Sequence, residues 1–526
     1  MKGITIMYEL NLNDLSIEQK IGQLIVARRW DNEEDVEFIF EMLKKKAVGA
    51  VQIRYFEGCE KLIAKIKELA GYPILVCADM ERGFPGSDLK VPAQMSVSAT
   101  NDMDYAYELA RAVAIEAKNA GYNVVWGPVV DLAAEGALCK NTRCFSDNAK
   151  LATEYACAMI RGYQDEGMVV SAKHYPGAND ILDDQHMLAG VSNRSEEELL
   201  EQDLIPYITA MKKENLSGIM TSHNLFPKID DEYVASLSKK VIDIIRNQGF
   251  DGVIFTDSLA MLSVINKYGI KECLGLAIAA GNDLVLPNYR LTFKESYEYL
   301  LSAYHAGVFS EERLNDAVRH VLEAQHKTLT VPSASKLTTE QRKMVTEISK
   351  YSLCTQVKAG TRLKLDEDTK KAFVLICENP YEYLRDSSEL QTRDWYMRPR
   401  IEKRKKLIEA EFPGAKVVII NEFPHRWETE EACLAISEAD EAIVFTFCMA
   451  TSYIANDDLT DRIKYMIKVN EDKISTIVHM GNPYALGNFA NIPRILWGTI
   501  GGECEEYAIK ALKGEYVPTG KIPVKL

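Results

Sequence analysis

Residues 171–186 read SAKHYPGANDILDDQH and bring two of the chain's eight histidines, His174 and His186, together with Lys173, Asp180, Asp183 and Asp184 around one Pro-Gly turn. Asp184 and His186 stand two apart. A loop can therefore bring the carboxylate to one ring nitrogen, and the other nitrogen can exchange a proton with a substrate. The same residues also suit a solvated acidic loop. Lys173 and His174 follow the apolar lead VVSA, where an ammonium is costly unless a polar partner meets it. A second stretch, GFDGVIFTDSLAM, carries Asp257 at the end of an apolar run. That carboxylate suits either attack on a substrate or, taken alone, the N-cap of the next helix.

Such groups must be held by rigid elements. Eight short apolar runs cross the first 330 residues: GQLIVARR, VGAVQIRY, PILVCADM, NVVWGPVVDL, MVVSAKHY, SGIMTSHN, DGVIFTD and NDLVLPN. They are continuously apolar, as parallel strands buried on both faces are. The segments between them have helical periodicity and caps, with Ser16 and Gln19 spaced as a capping box and Ser195 opening a helix over SEEELLEQDLIPYITAMKKE. Eight strand-then-helix units predict a TIM-type (β/α)8 barrel over 1–330. Its runs end in Arg28, Arg54, Asp79, Asp131, Lys173 with His174, His223 and Asp257, and barrel enzymes place their chemistry at the C-terminal ends of strands. A Pro/Ser/Thr-containing linker over 331–345 leads to five more runs: KAFVLICENP, AKVVIINEFP, EAIVFTFCMA, KISTIVHMGNP and IPRILWGTI. They predict an open α/β (αβα) sandwich over 346–526. No Gly-rich dinucleotide fingerprint follows its first strand.

Composition excludes several classes. The formal charge of −15 opposes a phosphate-backbone-binding surface, so no nucleic-acid partner is expected. The N-terminal stretch has neither a signal-peptide pattern nor a span-length apolar run, so no membrane association is expected. The eleven cysteines lack any C-x-x-C spacing, which argues against a metal cluster or disulfide framework and for a reducing cytoplasm. No metal and no cofactor are expected.

Taken together, these motifs make the chain resemble glycoside hydrolase family 3, most closely its two-domain β-N-acetylglucosaminidase branch. The family's Lys-His-Phe-Pro-Gly strand end is matched by KHYPG, its Asp-Ser-His dyad by DQH, and its Thr-Asp-Asp-Leu-x-Met strand by TDSLAM. NTRCFSD is similar to its Asp-Arg-Ser-Phe turn and ADMERG to its Asp-x-Glu-Gly-Gly strand end. The resemblance implies a retaining, exo-acting β-glycosidase whose partner is a carbohydrate with a terminal β-linked sugar, N-acetylglucosamine by the branch. It puts the nucleophile on Asp257, the acid/base on His186 and its orienting carboxylate on Asp184. It also implies that Asp79, Arg143, Lys173 and His174 hold the glycone hydroxyls. An ordinary imidazole titrates near ~6.5, suiting it to give and then take a proton near neutrality.

The chain departs from the pattern at three places. Gly177-Ala178-Asn179-Asp180 replaces Gly-His-Gly-Asp, Gln185 replaces the Ser of the dyad, and Glu81-Arg82-Gly83-Phe84 replaces Glu-Gly-Gly-Arg. These leave the reaction class standing and the preferred sugar and leaving group open. The competing readings are phosphorolysis on the same fold, β-glucosidase-type specificity, a non-catalytic sugar-binding relative, and a lyase using Lys173 in a Schiff base. The loop after the Pro-Gly turn is expected to be mobile and to carry the dyad over bound substrate.

Overall fold

The computed structural model describes residues 9–28, 30–137, 141–177, 179–329, 336–377, 401–448 and 458–526. It divides into two compact units, one of residues 1–89 and 102–345, the other of 90–101 and 346–526.

In the first unit, strands β1 (Val26–Ala27), β2 (Ala50–Gln52), β3 (Leu75–Asp79), β4 (Val124–Val129), β5 (Val169–Tyr175) and β6 (Gly218–Thr221) pair in parallel in chain order. A hairpin, β7 (Leu225–Phe226) with β8 (Asp230–Val234), intervenes before β9 (Val253–Ser258) and β10 (Leu284–Leu286) complete the eight-stranded sheet. The ring closes where Ile25 bridges Val285 in parallel and the Val285 N–H donates to the Leu24 carbonyl at 2.9 Å. Each of the eight expected runs supplies one strand of this barrel. β4 and β5 are buried along their whole length, and Val26, Leu75, Val124, Trp126, Val169 and Phe255 share one core cluster. Packed side chains rather than a pore thus fill the barrel, which holds the strand ends rigidly.

Local signals act as expected at Ser16, whose hydroxyl accepts from the Gln19 N–H while the Gln19 side chain accepts from the Ser16 N–H. Ser195 and Glu198 form the same reciprocal cap. The helix that Ser195 opens is shorter than predicted, however. It ends at Glu201, and a second helix runs Ile205–Glu214. Pro206, in the first turn of that second helix, lacks the N–H a continuous helix would need there.

Among its described residues the second unit holds six strands, not five: β11 (Cys354–Val357), β12 (Lys371–Cys377), β13 (Lys416–Asn421), β14 (Glu441–Cys448), β15 (Ile474–Gly481) and β16 (Arg494–Gly498), in the order β11-β16-β15-β14-β12-β13. The missed strand, β11, runs antiparallel to β16 at the sheet edge, and its outer half is exposed, so it lacks the long apolar signature of its neighbours. The segment Lys90–Asn101, expected inside the barrel domain, groups with this unit. There the Ala93 N–H donates to Thr499 Oγ1 at 3.1 Å and the Lys521 N–H to the Ala99 carbonyl at 2.9 Å. Of the expected linker, 331–335 lies outside the described residues, as do 378–380 and 449–450 of two predicted runs. Residues 339–345 are not an extended joint but the first part of a helix, Thr339–Tyr351.

Candidate active site

The residues singled out from the sequence gather at the C-terminal ends of the barrel strands. Lys173 is buried near the end of β5, with Nζ 2.7 Å from Asp79 Oδ1 at the end of β3 and 2.7 Å from Glu81 Oε1. Glu81 also takes a two-pronged contact from Arg143, Nε to Oε2 at 2.8 Å and Nη2 to Oε1 at 2.7 Å. Arg143 Nη2 then lies 3.4 Å from His174 Nε2, and His174 Nδ1 lies 2.7 Å from Asp131 Oδ2. One chain of ion pairs and hydrogen bonds thus joins Asp79, Lys173, Glu81, Arg143, His174 and Asp131. Neighbouring strand residues ordinarily face opposite ways. Lys173 and His174 share this network where the pairing of β5 with β6 shifts register between Lys173 and Tyr175.

The electrostatics explain how these charges stay buried. Burial pushes the Glu81 carboxyl up, but Arg143 and Lys173 outweigh it and hold Glu81 well below the usual carboxylate range. Burial disfavours the Lys173 ammonium, yet Asp79 and Glu81 raise its pKa above the ordinary value. A lysine held so firmly as a cation is a poor Schiff-base nucleophile. The Asp79 side chain is 57% exposed against 3% for Lys173, so it presents a carboxylate to the open mouth, backed by a fixed cation.

Asp257 is half-buried within β9 and accepts the Ser258 N–H at 2.7 Å. It is not a helix cap: the next helix starts at Leu262 with Met261 before it. Burial raises the Asp257 carboxyl, but the nearby imidazoles of His174, His223 and His186 and the Ser258 N–H bring it below its ordinary value. It is therefore an anion at neutral pH.

The loop holding the dyad begins at the Pro-Gly turn, where Gly177 has φ +92° and its N–H returns to the His174 carbonyl at 2.8 Å. A residue with a Cβ would be strained there. His186 Nδ1 stands 2.6 Å from Asp184 Oδ1, and the same oxygen accepts the His186 N–H at 3.0 Å. The loop expected to be mobile is docked on the barrel rim. Gln185 Oε1 accepts the His223 N–H at 3.3 Å, and the His186 carbonyl accepts the Leu262 N–H at 3.1 Å. Asp180 is engaged by the Ser192 hydroxyl at 2.8 Å, Ile181 is buried, and Ala178 lies outside the described residues.

Sequence reasoning placed all seven candidates at this mouth but gave no role to Glu81, Asp131 or His223. Glu81 lies two residues beyond Asp79, and Asp131 and His223 were visible only as polar strand ends. His223 is fully buried, and burial lowers its pKa. Its Nδ1 lies 2.8 Å from the Ser236 hydroxyl and its Nε2 2.9 Å from the Ser258 carbonyl. It thus braces the backbone that carries Asp257. Among the described residues, no group of three His, Cys, Asp or Glu side chains is arranged to hold a metal ion.

Comparison with known proteins agrees with this architecture. A β-hexosaminidase of Nitrosomonas eutropha is 33% identical over 237 residues, spanning 43% of this chain and 68% of that protein. A β-N-acetylglucosaminidase/β-glucosidase of Cellulomonas fimi is 25% identical over 329 residues, and the match spans 57% of its length. A solved family 3 β-N-acetylglucosaminidase from Paenibacillus sp. str. FPU-7 superposes with a TM-score of 0.81 at 23% identity, over 97% of this chain and 99% of that one. A β-glucoside phosphorylase superposes equally well, with a TM-score of 0.81 at 22% identity over 98% and 95%. Both likenesses establish the fold. The model of the glycosyl hydrolase family 3 N-terminal domain matches residues 16–324, more than half of the length, and the chain belongs to that family.

Proposed function

We propose that this chain is an exo-acting, retaining β-N-acetylhexosaminidase that works in the cytoplasm. The observation that carries the proposal is the Asp184–His186 pair docked beside an ionised Asp257 at the mouth of a (β/α)8 barrel. Asp257 attacks the anomeric carbon and forms a glycosyl-enzyme. With Nδ1 engaged by Asp184, the His186 Nε2 is the nitrogen that protonates the departing oxygen and then deprotonates the incoming water. Asp184 stabilises the imidazolium as it forms. Using an imidazole avoids a second anion next to the nucleophile. Asp79, Lys173, Arg143 and His174 hold the glycone hydroxyls, so binding energy remote from the bond orients C1. The N-acetylhexosamine assignment draws on the names of the matched relatives, and the cytoplasmic one on described cysteines that are free thiols.

The test is a panel of aryl β-glycosides (N-acetylglucosaminide, N-acetylgalactosaminide, glucoside, xyloside) assayed with wild type and Asp257→Ala. N-acetylglucosaminide is expected to be cleaved fastest. Asp257→Ala should abolish turnover, and azide should restore it to give the α-glycosyl azide. A near-wild-type rate for Asp257→Ala would remove the nucleophile assignment. Because an imidazole, unlike a carboxylate, does not repel phosphate, the panel is also run in phosphate. Sugar 1-phosphate formed only there would make the enzyme a phosphorylase.

A further inference from the structure

The site described above leaves one part of the barrel mouth unexplained. Arg28 follows β1 directly and Arg54 comes two residues after β2, and β1, β2 and β3 are adjacent parallel strands. Among the described residues, neither guanidinium makes a hydrogen bond or an ion pair. Arg28 does rest near the Tyr289 ring, its Cζ 5.9 Å from the centroid. Arg290 lies on the same ring at 5.3 Å and donates through Nε to the Ala260 carbonyl at 3.0 Å. Three arginines therefore line the arc formed by β10, β1 and β2, in a protein whose formal charge is −15.

The backbone under these head groups is fixed. The Trp30 indole N–H donates to the Gln52 carbonyl at 2.7 Å and ties the loop after β1 to the end of β2. Tyr55, next to Arg54, packs edge-on against Phe84 with centroids 5.3 Å apart, and a Cβ on Gly86 would come within 2.4 Å of its ring. Arg28 is partly buried. Its desolvation and the charge of Arg54 both disfavour its cation, whereas Asp79 and Asp31 favour it. Asp79 already lies 2.7 Å from Lys173. Two like-charged groups carried on a fixed backbone, neither in an ion pair among the described residues, form a receptor for an anion from outside, and guanidinium suits carboxylate or phosphate geometry.

The arc also indicates which end of the substrate carries that anion. The acid/base loop leaves β5 and docks on β6 and the segment after β9, so the leaving group lies on that side. Arg28 and Arg54 lie instead beside Asp79, a ligand of the glycone. Resting on the glycosidase reading, we propose that Arg28 and Arg54 form a subsite for an anionic group on the terminal sugar, making the preferred substrates β-glycosides of a 6-phosphorylated or 6-carboxylated hexose.

The experiment uses the full chain and matched 4-nitrophenyl β-glycosides. Glucoside is compared with glucuronide and 6-phosphoglucoside, and N-acetylglucosaminide with its 6-phosphate. Binding of glucose, glucuronate and glucose 6-phosphate is measured in parallel by calorimetry. The expected result is at least a tenfold higher kcat/KM for an anionic member of a pair. Arg28→Gln and Arg54→Gln should each reduce that ratio at least tenfold, mainly through KM. Arg54 is exposed, so its variant keeps the test valid if Arg28→Gln does not fold. Equal or better turnover of the neutral member overturns the proposal, as does an unchanged ratio in the Arg54 variant. It is also overturned if Arg54→Gln instead removes a preference for an acidic leaving group on a neutral sugar, or a rate increase by free phosphate. Arginine-dependent binding of the anionic sugars without cleavage of any glycoside supports the subsite and sinks the glycosidase reading. Cleavage without anion preference does the reverse.

Discussion

At the scale of single residues, the proposed mechanism divides the mouth into groups that react and groups that hold. His186→Ala should lose activity by about 10² to 10⁴ on glycosides with poor leaving groups and far less on activated aryl glycosides, which need little protonation. Rates measured across a series of leaving groups check this, and equal losses throughout would remove His186 from the acid role. Lys173→Ala should instead weaken binding of both substrate types. It takes the cation from between Asp79 and Glu81 and leaves Glu81 buried with one partner fewer. Asp257 titrates below its ordinary value, so it stays ionised as the pH falls to about 4. An acid limb in kcat/KM above that pH would therefore report another group. With no three-ligand group among the described residues, dialysis against a chelator should leave the rate unchanged, and a loss reversed by a divalent ion would contradict this.

At the scale of elements, the reactive loop depends on how it is pinned. Gln185 stands where the family pattern has serine, and its amide reaches the His223 N–H at 3.3 Å. A serine hydroxyl is two atoms shorter than that amide. Gln185→Ser should therefore release the loop from the end of β6. We expect a loss of about tenfold on poor leaving groups, of the order of one broken hydrogen bond. Faster amide exchange over 181–188 should accompany it. An unchanged exchange rate would mean that the Leu262 N–H contact to the His186 carbonyl holds the loop alone. The same loop is braced from below by Asp180 on Ser192, so the loss should stay partial.

At the scale of the whole molecule, a buried ionic cluster lies at the end of the barrel opposite the candidate site. Asp283, just before β10 and fully buried, accepts Arg246 at 2.8 Å, Arg313 at 2.5 Å, His320 Nδ1 at 3.2 Å and the Ile254 N–H at 2.8 Å. Burial raises its carboxyl, but Arg246, His320 and Arg313 together hold it well below the usual range. With a folded pKa lower than the unfolded one, its stabilisation is complete above about pH 4 and disappears as pH falls through the folded value. Asp283→Ala removes the buried carboxylate that Arg246 and Arg313 share and should destabilise the protein by about 3–5 kcal/mol. Denaturant unfolding at pH 7 and at pH 3 checks both points. The variant's deficit should shrink at the lower pH, and a pH-independent deficit would contradict the linkage.

Most of the barrel was legible in the residues because parallel strands buried on both faces must be continuously apolar, and all eight such runs became strands. The dyad was legible for a local reason: Asp184 and His186 are close enough in sequence to meet whatever the rest of the chain does. The extent of the long helix after Ser195 was not, because the capping signal is local whereas Pro206 acts several residues later. Nor was the placement of 90–101, a short helical segment whose partners Thr499 and Lys521 lie more than four hundred residues away. The same holds within the site. Glu81 draws its significance from Lys173 and Arg143, Asp131 from His174, and His223 from the backbone of Ser258. The chain's own order determined which polar groups stand at strand ends and which pair locally. Only closure of the barrel decided which of them meet, because that closure turns strand ends distant in sequence into neighbours across a few ångströms.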